Sequence, residues 1–253
     1  MMKNENKENI EPASIGEVNW QKIDLINCLP EFAELYSQRP ILDNNGGMMS
    51  SHLLPMYFIL KKLQPKIIIE SGVYKGQGTW FFNKILPTAK ILSVDINPQV
   101  RQLTIPGVDY FDKDVFEYNW NEIIQNIEPG IAQQDCLLFF DDHQNALGRL
   151  KHFIKLGFKR FIFEDNYPYD VCPECYSIKK AFYNANDAEW LHNNLKIYYE
   201  FPPLFIDTLT RWGDQWEKYP THSPLLNKIE EGHQQIFFDE RHTYTWICYI
   251  ELK

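Results

Sequence analysis

No stretch of this chain stays apolar for the roughly 18–20 residues that a bilayer-spanning helix needs, so a membrane span is not expected. Long basic stripes are absent too. The balance is 25 Lys and Arg against 34 Asp and Glu, a formal charge of −9. Phosphate backbones are bound by clustered cations, so nucleic acid is not an expected partner. The segment Met1–Pro12 is polar and charged and lacks the apolar run of a secretory signal. It reads as part of a disordered tail over residues 1–15, and a cytoplasmic location is the default expectation. Cysteine is scarce: Cys28, Cys136, Cys172, Cys175 and Cys248 form an odd, scattered set, which suits a reducing compartment. Cys172 and Cys175 make a C-x-x-C, but no second pair supplies the further ligands of a zinc site. A redox pair ordinarily opens a helix after a strand, and this one falls in a loop. Repeats are missing as well.

What is present is a core. Hydrophobic residues make up 44% of 253, enough for one domain of generous size, here residues 16–253. Apolar runs alternate with amphipathic ones. Ile67–Glu70, Lys90–Val94, Val108–Phe111, Cys136–Phe140 and Arg160–Phe163 read as strands, with helices between them, and this implies a parallel sheet covered on both faces. Trp20–Ser37 reads as helical with a break at Pro30. A further helix runs from His52 to about Leu63, capped by Ser50 or Ser51, with Pro55 in its first turn. Tyr176–Ala185 and Glu189–Tyr199 also read as helical. Residues 168–225 read as a lid or cap, and its aromatics Phe201, Phe205, Trp212, Trp216 and Tyr219 read as packing. Arg211, within that aromatic stretch, is the cation to watch as a clamp for an anionic acceptor. Gln235–Phe238 and Tyr244–Ile250 read as a closing antiparallel hairpin.

The most informative segment is Ile67 to Thr79. A buried strand ends in Glu70 and breaks into Gly72, Gly76 and Gly78, and an amphipathic run follows from Trp80 to Leu86. A strand that feeds a helix through a glycine turn is a nucleotide cradle, because glycine admits close approach and the helix start offers unpaired N–H groups. A dinucleotide fingerprint puts the tight glycine pair first; here the wide gap comes first. Asp95 ends the second strand, where a carboxylate can accept both hydroxyls of a ribose. The plain alternative is a generic α/β unit with ordinary turn glycines.

Ligands of parallel sheets sit outside the carboxyl ends of the strands. Glu70, Asp95, Asp141, Asp142, Glu164 and Asp165 would therefore share one rim. Their mutual repulsion asks for compensation, and a hard divalent cation such as Mg²⁺ offers it. Solvated loop acids with no metal are the alternative. His143 can serve as a general base or be an ordinary loop histidine, and His52 reads as structural.

The E-x-G-x-x-x-G-x-G spacing from Glu70 to Gly78 resembles motif I of class I S-adenosylmethionine (SAM)-dependent methyltransferases. The resemblance implies a Rossmann-like, mostly parallel, seven-stranded sheet with helices on both faces and a C-terminal antiparallel hairpin. It also implies SAM as cofactor, with Glu70, Gly72, Gly76, Gly78 and Thr79 at the methionine end, Asp95 at the ribose and Asp114 at the adenine. Asp141-Asp142-His143 after the fourth strand and Glu164-Asp165-Asn166 after the fifth resemble the metal-dependent branch, the cephalosporin hydroxylase-like and macrocin O-methyltransferase-like proteins. That resemblance implies Asp141, Glu164 and Asp165 as ligands of a divalent ion, Mg²⁺ in the first instance, and a small polar or sugar-like acceptor; Asp142 and His143 beside them are the catalytic candidates. Asp142 competes with Asp141 as a ligand, and Asn166 is a neutral alternative. A hydroxylase-like or non-catalytic SAM-binding protein of the same fold stays open, as does a homo-oligomer. The Pro-Gly-Gly turn common before the fifth strand is replaced here by Lys155–Arg160. The resemblance covers roughly Gly46 to Asn166.

Overall fold

The computed structural model describes residues 12–210, 213, 216–219, 221–229 and 234–253. The first eleven residues of the expected tail, with Arg211 and Trp212, lie outside the described residues. The chain opens with β1 (Ser14–Ile15), α1 (Lys22–Asn27), α2 (Leu29–Ser37) and α3 (Ser50–Leu63). Pro30 sits in the first turn of α2, where its missing N–H costs nothing. α3 starts earlier than expected, at Ser50, so Pro55 falls inside it.

The alternating units follow: β2 (Ile67–Ser71), α4 (Gln77–Ile85), β3 (Lys90–Val94), β4 (Asp109–Phe111), α5 (Trp120–Ile127), β5 (Cys136–Phe140), α6 (Ala146–Lys155) and β6 (Arg160–Phe163). The last part holds α7 (Ile178–Ala181), α8 (Ala185–Asn194), β7 (Leu195–Glu200), α9 (Gln235–Asp239) and β8 (Cys248–Leu252). Among the described residues no helix is long and apolar enough to cross a membrane.

One sheet has the order β1-β7-β8-β6-β5-β2-β3-β4. The pairs β2–β3, β3–β4, β2–β5 and β5–β6 are parallel, while β8 runs antiparallel to both β6 and β7. The Rossmann-like expectation holds, with eight strands instead of seven. Strand order reverses between β2 and β5, and a crevice opens at such a reversal. Side chains alternate across the sheet. Ile68, Leu137 and Phe139 face a core shared with α1 to α4, whereas Ile67, Ile69, Cys136 and Leu138 face a second core under α5 to α8. Each fully buried aliphatic or aromatic side chain contributes about 1.5–3 kcal/mol, and the sheet buries such side chains on both faces.

Several expectations change. Gln235–Phe238 is not a strand but the start of α9, and Phe237 packs on Phe32 at 5.1 Å. So short an apolar run carries no period that separates helix from strand. The antiparallel partner of β8 is β7, which the sequence reading had placed inside a helix from Glu189 to Tyr199. The Leu195–Glu200 stretch is rich in β-branched and aromatic residues and is gripped from both faces. Because α7, α8 and β7 belong to the main layers, residues 178–200 are not lid. Ser14 and Ile15, assigned to the tail, pair with Tyr199 and Tyr198. Phe201, Phe205, Trp216 and Tyr219 are buried and pack.

A buried ion pair fastens this region. Lys179 Nζ donates to both oxygens of Glu200 at 2.7 Å, and neither side chain has exposure to solvent. The Asn166 amide bridges the same ground, accepting from Lys179 N at 2.9 Å and donating to the Tyr198 hydroxyl at 2.9 Å. Removing one member leaves a charge without its counter-ion. Glu200→Leu should therefore cost about 3–5 kcal/mol in urea unfolding, and the double variant with Lys179→Met should recover most of that loss.

Candidate functional site at the sheet reversal

The ladder carries the strand ends to a common level. Ser71 lies opposite Val94 and Phe140, and Phe140 opposite Phe163. The next residue of each strand continues the bonding: Gly72 N–H donates to Val94 O, Asp141 N–H to Ser71 O and Glu164 N–H to Phe140 O. Gly72 has φ +98°, and a Cβ there would lie 2.1 Å from Asp141 O. Gly76 has φ +96°, and a Cβ there would lie 2.4 Å from Leu103 O. These glycines serve close passage of the protein's own backbone. That corrects their assignment to a cofactor for Gly76, which borders none of the cavity described below.

Glu70 and Thr79 are also corrected. Glu70 is 1% exposed, and its Oε2 accepts from the Thr79 and Ser93 hydroxyls, each at 2.6 Å. Both residues stand behind the turn and brace it. Burial pushes the Glu70 carboxyl up to about 7; the Ser93 and Thr79 hydroxyls hold it down in part, and the Asp95 charge adds to the rise. Gly78 sits against the same carboxylate, since a Cβ there would lie 3.0 Å from Glu70 Oε1 and from Met48 Sδ.

In front of the turn lies a cavity of about 330 Å³. Gly72 and Tyr74 form one wall and Asp95 and Asn97 the next. Asp95 Oδ2 accepts the N–H groups of Val73 (3.0 Å) and Tyr74 (2.8 Å), and Oδ1 accepts that of Asn97 (2.8 Å). The carboxylate thus clasps the turn, and its remaining lone pairs border the cavity. Asp141, Asp142 and His143 close the far side.

Arg149, on α6, is the residue that sequence reasoning missed. Its side chain is 4% exposed and donates to both oxygens of Asp114 at 2.6 Å and, through Nε, to Asp142 Oδ2 at 3.1 Å. Asp142 Oδ2 also accepts from Ser71 Oγ at 2.6 Å. The guanidinium holds the Asp114 carboxyl below its usual range. Burial lifts that of Asp142 even though Arg149 and Ser71 oppose the rise. Asp114, expected to meet an adenine, and Asp142, expected to act in catalysis, both line the cavity and form the two arms of one Arg-centred clamp. The only local sign was a basic residue on a helix that also carries Lys151, His152 and Lys155.

Beside this clamp, ligand atoms of Asp141, His143 and Asp165 all lie within 4.8 Å of one another. His143 Nδ1 meets Asp165 Oδ2 directly. His143 is about half exposed and Asp165 nearly buried. Glu164 does not join them. It is 1% exposed, its Oε1 lies 3.2 Å from His52 Nε2, and its backbone carbonyl accepts from Thr245 Oγ1 at 2.8 Å. His52 Nδ1 accepts from Met49 N–H at 3.1 Å, and its Nε2 also meets Thr243 O at 2.5 Å. His52 is structural, as expected, and the assignment of Glu164 as a ligand is corrected. Asn166 is committed to Lys179 and Tyr198 and is no ligand either. Cys172 and Cys175 are joined as a disulfide, and Lys180 Nζ donates to the carbonyls of both.

Comparison with known proteins adds likeness of fold only. No family model matches the chain, and no curated protein matches it. Among solved structures, a Mg-SAM form of CmcI is 18% identical, covers 60% of this chain and 64% of its own, and has a TM-score of 0.41. The chain thus spans less than two thirds of that protein. The SAH-bound methyltransferase PaMTH1 of Podospora anserina is 15% identical, covers 71% and 89%, and has a TM-score of 0.43. A putative O-methyltransferase from Klebsiella pneumoniae is 13% identical, covers 58% and 73%, and has a TM-score of 0.34. At this level the likenesses add nothing to the strand order already described.

The Glu70 environment gives a stability test. Its folded-state pKa lies above the unfolded value of 4.5, so its contribution is complete at low pH and is lost as pH rises from there through about 7. Urea unfolding of the parent should lose roughly 3 kcal/mol relative to Glu70→Gln across that window. Parallel pH profiles for the two proteins would refute the assignment.

Proposed function

We propose that this protein is a SAM-dependent methyltransferase acting on a hydroxyl of a small polar or sugar-like acceptor. The observation that carries the reading is the cavity at the sheet reversal, which runs from Asp95 past Gly72 to Asp141 and His143. Its volume lies at the lower end of ligand sites, and its walls change character along its length. The end at Asp95 presents carboxylate lone pairs suited to ribose hydroxyls. The Arg149 clamp makes the middle rigid, since its guanidinium fixes Asp114 and Asp142 in one planar arrangement. Acids and an imidazole gather at the other end, where an acceptor hydroxyl would have to lose its proton.

In-line methyl transfer asks mainly for position: the acceptor oxygen must stand about 3 Å from the methyl carbon. Gly72 and Tyr74 would set the sulfonium side of that approach and the Asp141–His143 turn the acceptor side. The donor set of two carboxylates and one imidazole fits a divalent cation, and Asp141, His143 and Asp165 would hold it. Bound there, such an ion would lower the pKa of an acceptor hydroxyl. His143 then serves as a ligand, whereas the sequence reading made it a catalytic base.

Calorimetric titration tests the cofactor. SAM at a hundredfold excess over its Kd should stabilise the protein by about 2.7 kcal/mol, seen as a raised Tm. NAD should produce no shift. Asp95→Asn should weaken SAM binding by roughly tenfold or more, the worth of a charge-assisted hydrogen bond. The absence of any shift at millimolar SAM would remove the proposal.

A further inference from the structure

The resemblance to metal-dependent methyltransferases implies an all-oxygen ligand set with Glu164 in it. The fold gives that acid another task. Glu164 faces away from the cavity rim, at 1% exposure, against the ring of His52. Its neighbour Asp165 turns the opposite way, as consecutive residues of an extended strand end do, and meets His143. The donors that converge beside the cavity are therefore two carboxylates and one imidazole, from Asp141, Asp165 and His143.

We propose that this cluster selects a first-row transition ion bound through one imidazole nitrogen, instead of Mg²⁺ in an oxygen cage; this rests on the metal-assisted reading above. Donor chemistry decides the matter. Mg²⁺ is a hard ion that takes oxygen ligands in near-ideal octahedra and keeps several waters. Imidazole suits Zn²⁺, Fe²⁺, Ni²⁺ and their neighbours, and affinity for a mixed N and O site rises along the series from Mn²⁺ to Cu²⁺. Replacing a carboxylate by a neutral imidazole also lowers the negative charge that draws Mg²⁺ in. Arg149 acts in the same direction. Its guanidinium takes up Asp142, the other acid at the end of β5, so that this carboxylate is not a third oxygen donor.

The test uses the full-length protein stripped of metal, with His143→Asp, His143→Ala and Glu164→Gln as variants. His143 is about half exposed, so its replacement leaves the core intact, and circular dichroism checks that each variant is folded. Co²⁺ binding is followed by visible absorption and Mg²⁺ binding by calorimetry. A Mn²⁺-loaded sample is examined by pulsed electron paramagnetic resonance for coupling to ¹⁴N. We expect ¹⁴N coupling in the parent and in Glu164→Gln, and none in either His143 variant. The preference for Co²⁺ over Mg²⁺ should fall at least about tenfold in His143→Asp, in which the oxygen set is restored. An unchanged preference in His143→Asp, a parent without ¹⁴N coupling, or loss of the ion in a folded Glu164→Gln would each overturn the proposal. SAM titration of the same samples separates the two readings. Nitrogen-coupled ion without SAM binding defeats methyl transfer alone, and SAM binding without nitrogen coupling defeats the ligand assignment alone.

Discussion

The rim of this sheet depends on how closely two stretches of backbone pass. Gly72 runs so near the Asp141 carbonyl that no Cβ fits between them. Ser71 O takes the Asp141 N–H at 2.7 Å in the same step. This contact joins the strand ends on either side of the order reversal and fixes the width of the crevice between them. Asp95 completes the joint from the other side by clasping the amides of Val73 and Tyr74. Contacts within the chain thus define the turn that opens α4, and the cavity lies in front of it.

Charge is then distributed around that fixed frame. Six strand-end acids and Asp114 lie along this rim, and the fold treats them differently. Glu70 is buried among hydroxyls and drifts toward neutrality. Asp114 and Asp142 share one guanidinium. Glu164 is set against His52. Asp95 accepts three backbone N–H groups. Asp141 and Asp165 are left to converge with His143, and this sorting is what makes the far end of the cavity the place for chemistry.

Much of this was legible in the chain. The β2 run, its glycine turn and the acids after β3, β5 and β6 announced both the parallel sheet and its rim. The sequence could not say which member of each acidic pair joins His143. Adjacent residues at a strand end point to opposite faces, so a one-residue difference in where the strand stops exchanges Glu164 with Asp165, or Asp141 with Asp142. Nor could it see Arg149, whose partners come from the turn after β5 and from the loop after β4. The β7 and α9 assignments failed for a related reason: both runs are short and apolar, and what decides between helix and strand is the neighbour each finds. β7 finds β8, and α9 finds the aromatic face of α2.

The two-residue β1 has a consequence out of proportion to its length. A long open sheet margin invites a strand from another molecule and, with it, runaway polymerisation. Here β1 covers part of β7, where Ser14 and Ile15 pair with Tyr199 and Tyr198. The opposite margin, β4, is only three residues long, and Asp109 in it is paired with Lys90. Trimming the chain past Ile15 would uncover a tyrosine-rich border, Tyr198 and Tyr199, to any strand able to pair with it.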